Sequence, residues 1–298
     1  MSRFDLQPKF SDPAARTLLW VRPPAVAAAP CGPGLIDDRY RTVALMKRGG
    51  MAEVYAAEHV VTRRRVAIKR LRSCWSRDSD MCRRFHREAQ VLARIDHPNV
   101  VEVVDFGVDH DGFGYLVMEL LYGEDLQATL RREGRLSLVR TTEILLQICG
   151  ALGAAHTAGV HRDLKPVNCF RVGFRKVDDF IKLVDFGLGR RLGPCDNDND
   201  PISRVGSVLG TVYYMAPEQA AGGAVDHRVD VYAAGVLLYQ LVTGKLPFRG
   251  NGLEETMRQI HSADIPAIRD VAPDLDVPAA LEAILHTAIA FGVVAALR

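Results

Sequence analysis

The sequence predicts an α+β fold with two lobes, a small, mainly antiparallel β lobe that carries one helix and a larger, mainly helical lobe. Between residues 40 and 117, short β-branched runs alternate with turn residues, as is typical of an antiparallel sheet. From about residue 125 onward, apolar residues recur mostly at helical spacing. Ligands commonly bind in the cleft between two such lobes, so we expect the functional site there.

The composition is that of a soluble globular protein with enough apolar material for a large core. The chain has 298 residues, of which 48% are hydrophobic and 25% are charged. Its formal net charge of +2 argues against nucleic acid or an anionic membrane as the main partner. The six cysteines contain no Cys-x-x-Cys pair, which argues against a zinc site and favours a reducing cytoplasm. We expect no membrane span, because no apolar run reaches the ~20 residues that one needs.

Residues 1–37 are rich in proline and alanine, and we expect them to form a disordered leader. The folded domain is then expected over residues 38–298, with an N-lobe at 38–119 and a C-lobe at 120–298. In the N-lobe, the β-branched runs predict strands at 41–46, 53–59, 65–70, 100–107 and 115–119.

One helix is predicted within the N-lobe, at residues 80–95. Phe85, Ala89, Leu92 and Ile95 recur at helical spacing and give this helix a single apolar stripe. The C-lobe is predicted to consist mainly of helices, at residues 125–133, 138–158, 226–243, 253–263 and 278–290.

Two short motifs carry the chemistry. Residues 161–168 read HRDLKPVN, and the triplet Asp185-Phe186-Gly187 follows. Together they supply a carboxylate that can orient a hydroxyl group (Asp163), a lysine that can neutralise a moving phosphoryl group (Lys165), and oxygen ligands for a divalent metal (Asn168 and Asp185). Such ligands suit Mg²⁺, with Mn²⁺ as an alternative. These residue types indicate a phosphotransferase.

With these motifs the chain resembles the eukaryotic-type protein kinases, over about residues 38–291. Lys165, two residues after Asp163, and the stretch GTVYYMAPE at 210–218 are similar to the serine/threonine branch, and the form GGMAEVY at 49–55 resembles its bacterial members. The resemblance implies transfer of the γ-phosphoryl group of Mg·ATP to serine or threonine hydroxyls of proteins. It also implies autophosphorylation of the activation segment, with Ser203 and Ser207 as candidate sites that Arg162 could pair with.

The resemblance implies a nucleotide site in the cleft. Lys69 is expected to hold the phosphates as a third catalytic residue, fixed by Glu88. Met118 is expected to gate the pocket behind the adenine, and Asp125 to contact the ribose. The full set of expected nucleotide contacts is Met46, Lys47, Arg48, Gly49, Gly50, Met51, Ala52, Glu53, Val54, Ala67, Lys69, Glu88, Met118, Glu119, Leu121, Asp125 and Phe170.

The expected phosphate loop, residues 47–54, matches only part of the pattern G-x-G-x-x-G-x-V. Lys47 occupies the first glycine position and Ala52 the third. Lys47 restricts the backbone, although it also brings a positive charge near the nucleotide, so a weakened affinity for ATP is one expectation. Taken alone, this stretch is explained equally well as a plain β-hairpin turn.

Other residues are expected to support the site. Thr211 is expected to bond to Asp163 and Lys165, and Asp230 to accept backbone N–H groups near His161. An apolar column that joins the lobes is expected from Leu92, Val103, His161 and Phe186. The separation between Asn168 and Asp185 is longer than is usual in the family, and the added length, at residues 171–179, fits the tip of a β-hairpin.

The C-terminal end departs from the family pattern. In the family, an Asp-Pro-x-x-Arg stretch normally supplies an arginine that pairs with the residue matching Glu218. Here the stretch GVVAA at 292–296 stands in its place, and Arg298 is displaced from the position of the expected arginine. A partly buried carboxylate without a partner costs ~1–3 kcal/mol, which predicts an incomplete and destabilised C-lobe. This departure and Lys47 favour one alternative, a non-catalytic pseudokinase scaffold. A small-molecule phosphotransferase is a second alternative, which the activation segment argues against.

Overall fold

The computed structural model describes residues 34–72, 79–174, 177–186, 211–223, 225–262 and 264–296. These residues form an N-terminal β lobe and a larger, mainly helical C-terminal lobe, in agreement with the α+β prediction. Residues 1–33 of the expected leader lie outside the described residues.

The N-lobe contains a six-stranded antiparallel sheet of order β1-β2-β3-β4-β6-β5. Its strands are β1 (Leu35–Ile36), β2 (Tyr40–Arg48), β3 (Ala52–His59), β4 (Arg65–Leu71), β5 (Val103–Val108) and β6 (Gly114–Glu119). All five predicted strands are present with shifted ends. Strand β1, at the end of the expected leader, has no sequence signal because two residues show no periodicity.

Helix α1 (Ser79–Leu92) lies against β5 and β6. Phe85, Ala89 and Leu92 are buried in the main apolar core, so the predicted stripe is the packing face. The sequence predicts an end at residue 95, whereas the helix ends at Leu92. The backbone N–H of Ala93 still bonds four residues back, but those of Arg94 and Ile95 bond only three residues back, which tightens the last turn.

The C-lobe contains α2 (Leu126–Glu133), α3 (Leu138–Ala155), α4 (Pro217–Ala220), α5 (Arg228–Thr243), α6 (Leu253–Ser262), α7 (Ile268–Val271) and α8 (Ala279–Ala296). All five predicted helices are present. Asp125 and Ser137 explain where α2 and α3 begin, because each side chain accepts a hydrogen bond from the backbone N–H three residues later.

Helix α5 is the centre of the C-lobe. Residues 232–243 are all buried, which requires other elements on every side of the helix. Helices α3 and α8 pack against it. At Gly235 a Cβ would lie 2.9 Å from Ile289 Cγ1, so a glycine allows α5 and α8 to approach closely.

The last helix is longer than the sequence predicts. Its expected end near residue 290 is wrong, because α8 continues through Gly292 to Ala296. A single glycine inside a helix costs only about 1 kcal/mol relative to alanine, which does not end it. Arg298 lies outside the described residues.

A second, three-stranded sheet in the C-lobe consists of β7 (Gly123–Asp125), β8 (Cys169–Phe174) and β9 (Val177–Leu183). Strands β8 and β9 form a hairpin, as expected for the added length at 171–179. This hairpin joins the two chemical motifs, since Asn168 precedes β8 and Asp185 follows β9.

One described helix, α3, is long and apolar enough to cross a membrane. The helix packs against β9 and α5, and it buries Ile144, Ile148 and Leu152 in the core of the C-lobe. About a third of the helix is buried in this way, and Val139 and Leu146 are exposed.

Candidate active site

The catalytic loop holds its carboxylate from several directions. Lys165 Nζ donates to Asp163 Oδ1 and to Thr211 Oγ1, at 3.0 Å in each case. The amide nitrogen of Asn168 donates to the Asp163 carbonyl at 2.8 Å and to its carboxylate at 2.9 Å. The sequence therefore identified four residues that meet in space, including the expected contact between Thr211 and Lys165.

Asp230 of α5 anchors this loop. Its carboxylate accepts hydrogen bonds from the backbone N–H groups of His161 and Arg162, both at 2.8 Å. His156 Nε2 lies 2.9 Å from the same carboxylate. The expected role of Asp230 is confirmed by these contacts, while His156 was not identified from the sequence.

Lys69 bridges two carboxylates at the back of the cleft. Its Nζ lies 2.7 Å from Glu88 Oε1 and 3.1 Å from Asp185 Oδ1. Burial lowers the pKa of the Lys69 ammonium, but the charges of Asp185 and Glu88 outweigh it and raise the pKa overall. Lys69 is therefore a cation fixed in the cleft.

The two carboxylates differ in their electrostatics. Burial raises the pKa of Glu88. The pKa of Asp185 is lowered to about 2, chiefly by the charge of Lys69, with further contributions from Lys47 and Lys165. The Asp185 carboxylate, which faces the cleft, is thus ionised near neutral pH and can act as an oxygen ligand.

The strand register places three of the expected nucleotide contacts on one face of the N-lobe sheet. Val54 pairs with Lys69, Ala56 with Ala67, and Ala67 in turn with Met118. Directly paired residues of antiparallel strands share a face, so Val54, Ala67 and Met118 lie on the same side as Lys69. Phe170 pairs with Asp125 in the second sheet.

The hinge is fixed by an ion pair that the sequence did not reveal. Lys182 Nζ of β9 donates to Glu119 Oε1 at 2.6 Å, and the same oxygen accepts the backbone N–H of Glu102 at 2.9 Å. The Glu119 side chain is thereby occupied, and the backbone N–H of Glu119 donates to the Glu102 carbonyl at 3.0 Å.

The expected phosphate loop is the β2–β3 hairpin. The backbone N–H of Gly49 donates to the Ala52 carbonyl at 2.9 Å, which closes the turn. A Cβ at Gly49 would lie 3.1 Å from that carbonyl, whereas Gly50 faces open space. Bare backbone is therefore exposed at the tip of this hairpin, and its role in binding phosphate stays a prediction.

The apolar column that joins the lobes is present. Leu92, His161 and Phe186 are buried, and Val103 packs against the same core. The rings of His161 and Phe186 lie 4.3 Å apart between centroids. Burial lowers the pKa of His161, which keeps the imidazole neutral. Gly187 and the candidate sites Ser203 and Ser207 lie outside the described residues.

Glu218 is buried, and its Oε2 has no hydrogen-bond partner among the described residues. This agrees with the absence of the expected arginine from the sequence pattern.

The described residues offer few ligands for a divalent metal by themselves. In the part of the chain that the structure describes, no group of three or more histidine, cysteine and acidic side chains could hold a metal by itself. Asp185 and Asn168 supply a carboxylate and an amide, which are ligands that hard divalent cations accept together with nucleotide phosphates and water. The residues therefore fit a metal that is bound jointly with a nucleotide.

Comparison with known proteins identifies the family. The protein kinase domain family matches residues 40–289. The chain is 39% identical to the serine/threonine-protein kinase pkn3 of Myxococcus xanthus, over 85% of this chain and 46% of that protein. It is 37% identical to PrkC of Bacillus subtilis, over 86% of this chain and 38% of that protein. The chain thus spans about half or less of the length of these two relatives.

A solved structure shows the same architecture. The kinase domain of PknI from Mycobacterium tuberculosis matches with a TM-score of 0.65 and 29% identity, over 89% of this chain and 92% of that domain. The fold, the order of the motifs and the relatives agree. The chain therefore belongs to the protein kinase family, as a bacterial-type member of its eukaryotic-like serine/threonine branch.

Proposed function

We propose that this chain transfers the γ-phosphoryl group of ATP to serine or threonine hydroxyls of proteins. The observation that carries the proposal is the arrangement of two clusters of polar and charged side chains in one cleft. Asp163, Lys165 and Thr211 form a connected cluster in the C-lobe, and Lys69, Glu88 and Asp185 form a second cluster behind it.

Asp163 is the residue that would orient the acceptor hydroxyl and accept its proton. Its carboxylate is positioned by Lys165 and Asn168, so little reorganisation is needed when a substrate arrives. Lys165 lies beside it as a cation for the negative charge that develops on the transferring group. Lys69 is the cation for the other nucleotide phosphates, and Glu88 holds it in place.

Asp185 and Asn168 are the residues that would hold a divalent metal, for which we propose Mg²⁺, with Mn²⁺ as an alternative. A bound metal supplies charge neutralisation and orientation of the phosphates. The low pKa of Asp185 keeps its carboxylate available for this purpose. Val54, Ala67, Met118 and Phe170 are proposed to contact the adenine.

The pseudokinase alternative would be favoured if one of the residues proposed to bind the nucleotide or to act in catalysis were replaced. Lys69, Glu88, Asp163, Asn168 and Asp185 are all present and in contact with one another in pairs. Catalysis therefore remains the better-supported function. Ser203 and Ser207 remain predicted sites of autophosphorylation, to be tested by phosphopeptide mapping.

The decisive experiment measures incorporation of labelled γ-phosphate into the chain itself and into a generic basic protein. We expect incorporation by the wild type and a loss of at least about 100-fold in Asp163→Asn, because general-base and orienting groups contribute about 10²–10⁴-fold. Asp276→Asn, at an exposed position far along the sequence, is the matched control and should retain activity. A wild type that binds ATP but transfers no phosphate would favour the scaffold instead.

A further inference from the structure

Strand β2 contains a β-bulge next to the position where a lysine replaces the first glycine of the phosphate-loop pattern. Leu45 pairs with Tyr55 and Lys47 pairs with Val54, so two steps along β2 correspond to one step along β3. Met46 is therefore the extra residue. A bulge of this kind changes the face on which the following side chains lie.

The bulge brings Lys47 to the cleft face. In a regular ladder, Lys47 would pair with Glu53 and lie on the opposite face of the sheet. With the bulge it pairs with Val54, which in turn pairs with Lys69. Because directly paired residues share a face, Lys47, Val54 and Lys69 form a row across three strands on the side that faces the cleft.

The contacts of Lys47 agree with this register. Lys47 Nζ lies 3.9 Å from Asp185 Oδ2, while Lys69 Nζ lies 3.1 Å from Asp185 Oδ1. Two lysines from different strands therefore flank one carboxylate. The backbone accommodates the substitution, because Lys47 remains within β2 and is not among the described residues with positive φ.

The Lys47 side chain can leave Asp185 and bind another anion. It is 56% exposed, and its contact with Asp185 is long. Ion pairs at such exposed positions contribute little, so a ligand with several negative charges can compete for the ammonium group. The space in front of Lys47 and Lys69 is the one that the phosphates of a nucleotide would occupy.

We propose that Lys47 is an additional phosphate-binding lysine, which makes this cleft selective for nucleoside polyphosphates over monophosphates. The proposal rests on the proposed kinase function and refines the ligand of the same site. Lys47 adds a cation to Lys69 and Lys165, so the site retains affinity for a triphosphate when no divalent metal is present. This reverses the expectation that replacement of the glycine only weakens the binding of ATP.

The test is a comparison of AMP, ADP and ATP binding by isothermal titration calorimetry in EDTA, repeated with Mg²⁺. In EDTA we expect Lys47→Ala to weaken ATP binding about five- to tenfold, which corresponds to loss of one ion pair of about 1 kcal/mol. ADP binding should weaken less and AMP binding less than about twofold. Lys47→Arg, which keeps the charge, should restore the preference for ATP.

Arg41→Ala is the matched control, since it removes one positive charge from an exposed position at the other end of β2. This variant should bind AMP, ADP and ATP with affinities within about twofold of the wild-type values. An equal loss for AMP and ATP in Lys47→Ala would show a structural role and overturn the proposal. Unchanged ATP binding, or a wild type that binds ATP in EDTA no better than AMP, would also overturn it.

Failure of this inference can be told apart from failure of the proposed function. A wild type that binds Mg·ATP and transfers phosphate, with Lys47→Ala indistinguishable from it, contradicts only the role of Lys47. A wild type that binds no nucleotide under either condition contradicts both.

Discussion

Arg162 is held in an unusual backbone conformation beside the proposed catalytic residue. Its φ is 63°, in the left-handed region that costs a non-glycine residue on the order of 1 kcal/mol. The hydrogen bonds from His161 and Arg162 to Asp230 offset this cost. A single buried carboxylate thus determines the direction in which the chain enters the loop that carries Asp163.

Glu218 is a buried carboxylate of which one oxygen is unpaired in the part of the chain that the structure describes. Its Oε2 has no partner among the described residues, and the nearby buried hydroxyl of Tyr232 has none either. We predict that Glu218→Gln raises the free energy of unfolding by about 1 kcal/mol, because a neutral amide costs less to bury than a carboxylate with one unpaired oxygen. Urea unfolding at neutral pH measures the change.

The control for this prediction is Glu88→Gln, which removes a carboxylate that has a partner. We expect it to lower the free energy of unfolding by about 2–3 kcal/mol, because Lys69 loses one of its two counter-charges. A loss of more than about 1 kcal/mol in Glu218→Gln would indicate a cationic partner for Glu218.

At the residue scale, the sequence predicts contacts between residues of one motif, but it does not predict contacts between residues that are distant in the chain. Asp163, Lys165 and Asn168 are separated by at most five residues, and their contacts follow from one loop. Lys182 and Glu119 are 63 residues apart, so their pairing depends on how β9 is placed against the hinge. No local pattern could reveal that contact.

At the element scale, a network of ion pairs fixes the β8–β9 hairpin to the helices of the C-lobe. Asp179 accepts hydrogen bonds from Arg140 of α3, at 2.9 Å, and from Arg171 of β8, at 3.1 Å. Arg171 also donates to Glu124 of β7 at 2.8 Å. The hairpin between the two motifs is therefore fixed to α3 and β7 through Asp179 and Arg171.

Asp179→Asn tests this anchor through the pH dependence of stability. Burial raises the pKa of Asp179, but hydrogen bonds from Arg140 and Arg171 outweigh it and lower the pKa overall. We expect a loss of about 1–2 kcal/mol at neutral pH, since hydrogen bonds to charged groups contribute this much. The contribution is complete above the unfolded-state pKa of about 3.9 and is lost as the pH falls through the folded-state value.

The measurement is urea unfolding of Asp179→Asn and wild type at several pH values from 7 to 3. The difference between the two proteins should narrow below about pH 4. Asp276→Asn provides the exposed control and should show no such trend. A difference that is constant with pH would mean that the charge of Asp179 is not what stabilises the hairpin.

The elements themselves were predictable where periodicity was long. The five main strands of the N-lobe, its helix and the five main helices of the C-lobe were expected, whereas β1, β7, α4 and α7 were not, because each has only two to four residues. The end of α8 was missed for another reason. Helix α8 packs against α5, and the weak local preference of one glycine at position 292 does not end it.

At the scale of the whole molecule, the two lobes are joined by more than the hinge. The backbone N–H of Leu183 in β9 donates to the Asn99 carbonyl at 2.7 Å, and the Val101 N–H donates to the Leu183 carbonyl at 3.0 Å. The ion pair between Lys182 and Glu119 lies beside these bonds. The segment before β5 therefore fixes the orientation of the N-lobe relative to the second sheet.

A double-mutant cycle on Glu119→Gln and Lys182→Met tests this junction. We expect a coupling energy of about 1–2 kcal/mol in urea unfolding, because each side chain is mostly buried and neutralises the other. Arg269 and Glu282 form an ion pair whose arginine is largely exposed, and this control should give less than about 0.5 kcal/mol. Equal couplings would contradict a special role for the junction.

The burial of α5 has a consequence for the lifetime of the active site. Residues 232–243 are enclosed by the rest of the C-lobe, so this helix opens to solvent only when the lobe unfolds. The amide protons of His161 and Arg162 are bonded to Asp230 on the same helix. We therefore expect them to exchange with deuterium as slowly as the core, so that the catalytic loop persists for as long as the folded lobe does.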